Sequence, residues 1–166
     1  MKLTITKNPA VYEATGILLK RGGDYQTHAL ITPDALYATD SKSLFKVELE
    51  TDMYAPGVYE VIKRTKSEVV LLSTELTPED TFPGPILDDS IFNTKGTIEL
   101  ALPETDDPDV FFCSIAHATL GYMRYKQILA FFNASSADTT LHYQEGGKAM
   151  IHLSNGALTA AIMPLM

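Results

Sequence analysis

A single cysteine, Cys113, stands in a chain of 166 residues. That count excludes an intramolecular disulfide framework and a zinc site built on several thiolates. Its setting, Phe-Phe-Cys-Ser-Ile, is the apolar surrounding of a buried, inert thiol. No apolar run approaches the roughly 18–20 residues that span a bilayer. The uncharged stretch 153–166 is short and is broken by Gly156 and Pro164. Lys2 is not followed by an apolar segment, so no secretory leader is expected. Together these absences describe a soluble protein of a reducing cytoplasm with no membrane partner.

Catalytic signatures are missing as well. The chain holds no Gly-Lys-Ser/Thr phosphate loop, no G-x-S-x-G elbow and no H-E-x-x-H helix. His142 and His152 fall on neighbouring predicted strands but lack a third ligand, and His28 and His117 stand alone. Asp106, Asp107 and Asp109 lack the spacing and the glycine of a calcium loop. No catalytic residue, metal or cofactor is expected, and binding outranks catalysis as the chain's business.

What is present is apolar bulk and segregated charge. Apolar residues make up 45% of the chain, enough for one sizeable core and far above a disordered composition. The net charge is −8. Carboxylates gather at 74–80, at Asp88 and Asp89, and at 103–109, whereas cations sit elsewhere, at Lys2, Lys7, Lys20, Arg21, Lys63, Arg64, Lys66, Arg124 and Lys126. A protein this acidic does not coat nucleic acid indiscriminately, but cations collected on one face can still meet phosphates.

The hydrophobic pattern organises the chain into a repeated unit. A strand at 2–6 leads to Asn8-Pro9, an N-cap followed by proline at the first helical position, and a helix is expected from there to Lys20, stopped by Gly22-Gly23. Strands follow at 28–32, 35–39 and 44–50, with Pro33-Asp34 and Asp40-Ser41 as turns. Further strands are expected at 57–64, 68–73 and 97–102. The proline-rich stretch 77–89 reads as a rigid surface loop without an element of its own. In the last third, a buried strand at 110–116 precedes a helix at 120–133, whose Tyr122, Tyr125, Ile128, Leu129 and Phe132 form one apolar face. Strands at 139–144, 148–153 and 157–163 follow, turned by Gly146-Gly147 and Asn155-Gly156. The order strand, helix, three strands thus occurs twice.

Several stretches resemble one family in the correct order. Leu36 to Leu49, LYATDSKSLFKVEL, resembles the L-x-A-T-D-(G/S)-x-x-L strand pair of the sliding clamps, the bacterial DNA polymerase III beta subunits. FPGP at 82–85 is similar to the clamps' FPDY loop, although its Asp and Tyr are absent here. The final helix, charged turn, three strands and ending Met163-Pro164-Leu165-Met166 resemble the clamp C-terminus. MKLTI resembles a clamp's first strand.

The resemblance implies an α+β, DNA-clamp-like domain: two β-α-β-β-β units, antiparallel sheets and both helices on one face. It implies one domain over 1–166, with a first unit at 1–53, a linking insertion at 54–108 and a second unit at 109–166. Clamp subunits carry three domains and pair into a ring, so a chain of one domain is expected to form a homo-oligomer through its sheet edges. Clamp helices meet the DNA backbone, which places Lys7, Lys20, Arg21, Arg124, Lys126 and Gln127 as candidate contacts to duplex DNA, read without sequence preference. The clamp C-terminus helps form the pocket for polymerase and loader peptides, which places Met163, Pro164, Leu165 and Met166 as candidate partner contacts. The implied function is a non-enzymatic processivity factor that tethers replication proteins to DNA. A clamp-fold decoy or adaptor on a replication protein, and a β-rich structural or assembly protein of a virus, are the alternatives, with an enzyme behind them.

Overall fold

The computed structural model describes residues 1–87, 97–101, 113–115, 118–120, 122–133, 140–144, 151–155 and 157–162. The chain opens with strand β1 (Lys2–Thr6), helix α1 (Pro9–Thr15), the single turn α2 (Asp24–Thr27) and a meander of β2 (His28–Ile31), β3 (Ala35–Thr39) and β4 (Ser43–Glu48). The hairpin β5 (Gly57–Arg64) and β6 (Glu68–Ser73) follows, then two further single turns, α3 (Pro78–Thr81) and α4 (Gly84–Leu87), and strand β7 (Thr97–Ala101). The second half holds β8 (Cys113–Ile115), β9 (Ala118–Leu120), helix α5 (Tyr122–Asn133) and the strands β10 (Thr140–Gln144), β11 (Ile151–Asn155) and β12 (Leu158–Ile162).

Ten of these strands form one antiparallel sheet in the order β1-β6-β5-β2-β3-β4-β12-β11-β10-β7. The two meanders meet at its centre, where β4 and β12 pair from Ser43↔Ile162 to Val47↔Leu158. The β-α-β-β-β order therefore occurs twice, as β1-α1-β2-β3-β4 and β9-α5-β10-β11-β12. The second unit departs from expectation at its start. The strand at 113–115 does not enter the large sheet but pairs with β9 in a separate hairpin, and β7 takes the place beside β10.

Alternation explains the sheet's two buried faces, because successive strand residues point to opposite sides. Ala29, Ile31, Leu36, Ala38, Phe45, Val47, Tyr59, Leu153 and Ala160 face one way, into a core shared with Val11 and Ala14 of α1 and Ile128, Phe131 and Phe132 of α5. The two helices pack side by side on that face. Phe131 stacks on Phe45 with ring centroids 4.3 Å apart and planes 6° from parallel, which ties α5 to β4.

Leu30, Ala35, Tyr37, Leu44, Val58 and Ala161 face the other way, onto Phe82 and Ile86. Here the expected surface loop at 77–89 is corrected in its described part. Its prolines and glycine break the backbone into the two turns α3 and α4, yet Phe82 and Ile86 are buried against the sheet. The prolines limit the backbone to single helical turns, closed by Thr81 N donating to Thr77 O, Phe82 N to Pro78 O and Leu87 N to Pro83 O, and the buried side chains anchor those turns to the sheet. Among the described residues, no helix is long and apolar enough to cross a membrane.

Candidate nucleic-acid interface

Helix α1 begins as its sequence dictates: Asn8 Oδ1 accepts from the Val11 N–H at 3.1 Å, and Pro9 occupies the first turn. It ends earlier than expected. The helix stops at Thr15, with Gly16 as its C-cap, and the chain continues in tight turns in which Ile17 N donates to Ala14 O and Leu18 N to Thr15 O. Glycine's low helix propensity and the burial of Ile17 favour that stop over the expected one at Gly22-Gly23. Lys20 and Arg21 consequently lie in the loop after the helix, both exposed. Leu19 N donates to Gln26 O at 2.9 Å and Gly23 N to Gln26 Oε1 at 2.9 Å, so the loop is pinned at its base.

Lys7 lies at the opposite end of α1, in the turn from β1. Its φ of 52° is left-handed, and its N–H donates to Ser67 O at 3.1 Å. The three cations expected around the first helix thus flank it at its two ends and do not project from its body. On α5, Lys126 is exposed and Gln127 half-buried, while Ile128 is fully buried beside them, as the apolar face required. Arg124 lies within the same helix, and only its backbone belongs to the described residues. Met163, Pro164, Leu165 and Met166 lie outside the described residues, and so do the acidic segment 103–109 and Gly146-Gly147.

One contributor is absent from the sequence reading of the interface. Arg64, at the end of β5, lays its guanidinium over the Tyr12 ring, 3.9 Å from the centroid, and donates from Nε to Tyr12 O at 2.7 Å. Its neighbour Lys63 is instead engaged by Glu68. Arg64, Lys20, Arg21 and His28 line a half-open groove of about 690 Å³ beside the end of α1, with Glu60 as its one carboxylate. His28 Nδ1 lies 2.8 Å from Thr27 Oγ1 and 3.1 Å from Asp24 O, which fixes the ring at the groove wall. Nothing along the sequence announces the Arg64–Tyr12 contact, which joins residues 52 positions apart.

The β10–β11 register sets His142 opposite Ser154, two residues from His152. Among the described residues, no group of three or more His, Cys, Asp or Glu side chains is placed to hold a metal ion.

No protein-family model matches the chain, and no curated protein matches it in sequence. Solved structures do match in fold. The beta subunit of DNA polymerase III from Thermotoga maritima superposes with a TM-score of 0.53 at 13% identity, over 98% of this chain and 64% of that one. A DNA polymerase sliding clamp from Pseudomonas aeruginosa gives 0.53 at 13% identity, over 99% and 64%. The sliding clamp of Bartonella birtlesii gives 0.52 at 12%, over 99% and 65%. The match spans less than two-thirds of each of those chains. A ten-stranded antiparallel sheet with two helices side by side on one face is thus the sliding-clamp fold, and this chain has it.

Proposed function

We propose that the chain is a non-enzymatic, sliding-clamp-like factor that tethers replication proteins to duplex DNA. The observation that supports this reading is that exposed cations accompany both helices of the sheet's one helix-bearing face: Lys7 before α1, Lys20 and Arg21 in the loop after it and Lys126 on α5. In a chain of net charge −8, such a face is the favourable place for a polyanion, because the field elsewhere repels it. Arg124 and Gln127 belong to the same helix and complete the proposed contact. Contacts to phosphates position a protein on DNA and carry no sequence information, which suits a tether. Met163, Pro164, Leu165 and Met166 are proposed as the surface for a polymerase or loader peptide, since methionine adapts to varied apolar partners. A homo-oligomer completes the reading: among the described strands β1 and β7 end the sheet, and sheet edges are sites for strand pairing.

The test is the double charge reversal Arg124→Glu with Lys126→Glu, assayed by retention of the oligomer on circular duplex at low salt. Retention should be abolished while the thermal transition stays within a few degrees of the parent. Undiminished retention would remove the helix-bearing face from the proposal. The chain's net charge supports one second reading, a clamp-fold adaptor that engages a replication protein without DNA. Failure of the parent to bind any duplex at low salt selects it.

A further inference from the structure

Resting on the duplex-binding reading, we infer that the groove at the end of α1 is a built site for one phosphate group, with Arg64 as its central donor. Three observations carry this. The first is composition: Arg64, Lys20 and Arg21 bring three cations from two separated segments to one groove, against the single carboxylate of Glu60. Phosphate sites need this kind of concentration, and arginine's planar fork suits a phosphate's oxygens better than a lysine does.

The second is preorganisation. One face of the Arg64 guanidinium is held by the Tyr12 ring and its Nε by Tyr12 O. The side chain's position is therefore set before any ligand arrives, and Arg64 lines the groove in that position. Holding a long side chain in its bound geometry removes part of the ordering cost of binding.

The third is the glycine at the helix end. Gly16 has φ −67° and ψ −19°, an ordinary helical conformation that any residue adopts, so its lack of a side chain is not required by the backbone. Space is what a side chain would contest: a Cβ at Gly16 would fall against Arg64 Nη2 and 2.9 Å from Arg64 Cζ, so the guanidinium would have to move aside. Glycine at this position is what lets the guanidinium lie across the end of α1. Chemically, the groove offers a cluster of cationic N–H donors at the surface, while His28 on its wall is engaged by Thr27 Oγ1 and Asp24 O. Such donors suit the oxygens of a phosphodiester, namely a backbone phosphate of the duplex.

The geometry supplies a variant that moves the donor without changing any charge. Gly16→Ala displaces the guanidinium and leaves the backbone conformation allowed. Arg64→Gln removes the charge. Lys42→Gln removes one charge from the exposed turn between β3 and β4, away from the groove. Each variant and the parent would be titrated with inorganic phosphate, followed by amide and arginine Nε shifts, and with a duplex of about 20 base pairs, followed by affinity against salt. Phosphate should shift Gly16, Arg64 and the 20–22 loop saturably in the parent and not in Gly16→Ala or Arg64→Gln. Duplex affinity should fall about five-fold or more in both, and Arg64→Gln should flatten the log–log salt slope by about 0.9, the contribution of one phosphate contact. Lys42→Gln should change affinity less than about two-fold.

Duplex binding that Gly16→Ala leaves untouched, or that Lys42→Gln weakens equally, overturns the groove site while sparing the wider helix face. Saturable phosphate binding in the groove without duplex binding upholds the site and overturns the tethering function.

Discussion

The Phe45–Phe131 stack shows how one side chain couples the two units. Phe131 comes from α5 and Phe45 from β4, and β4 is also the strand on which the two meanders meet. Removing such a ring leaves a cavity that the sheet cannot collapse into, so Phe131→Ala should cost about 3–5 kcal/mol, read as a lower urea midpoint with an unchanged slope. The sequence pattern placed Ile128 and Phe132 on the buried stripe correctly but left out Phe131. A stripe drawn at helical spacing assumes one covering surface, whereas α5 is covered both by the sheet and by α1, so its buried arc is wider. Tyr59 gives a pH-dependent counterpart. It is 1% exposed and donates its phenol proton to Ala55 O at 2.7 Å, and burial pushes its pKa up from 10.0. With the folded pKa above the unfolded one, its contribution to stability is complete below about pH 10 and is lost as the pH rises through the folded value. Alkaline melting curves should therefore show a steeper fall for the parent than for Tyr59→Phe, whose stability at neutral pH should be lower by about 1 kcal/mol for the lost hydrogen bond.

Among the elements, legibility followed the locality of the signal. The start of α1 was readable because Asn8 and Pro9 act within one turn, and Asn8→Ala should cost about 1 kcal/mol in thermal unfolding. Strands β5 and β6 were readable for the same reason, as β-branched runs between turn residues, and β3 was readable from its turns: Asp40 Oδ1 accepts from the Lys42 and Ser43 N–H groups to close the expected one. The end of α1 was not, because Gly16 is a weaker local stop signal than Gly22-Gly23, and the burial of Ile17 that favours it depends on the rest of the fold. The 77–89 segment misled, in its described part, for a related cause. Its prolines announce an irregular backbone, which is true, while Phe82 and Ile86 are recruited by an apolar sheet face that no local pattern reveals. Phe82→Ala should destabilise by about 3 kcal/mol, far more than a surface loop position, where changes stay within about 0.5 kcal/mol.

At the scale of the whole molecule, the repeated order of elements was visible in the sequence, but the way the halves join was not. Pairing of β4 with β12 is a long-range choice, and either strand taken alone would fit an edge. That pairing leaves β1 and β7 at the two ends of the sheet, and self-association through them should appear in light scattering as a mass above that of the 18.2 kDa chain. The candidate interface was legible in its residue types and incomplete in its geometry: Lys20 and Arg21 reach the groove from a loop, not from a helix, and Arg64 joins them from β5. The proposed tether holds duplex DNA by a handful of backbone contacts without regard to sequence. It is tested most directly by the salt dependence of binding to several unrelated duplexes. We expect one common log–log slope of about −3 to −5 per protomer, at roughly 0.9 for each phosphate contact. A slope near zero, or slopes and affinities that differ widely with sequence, would contradict the account.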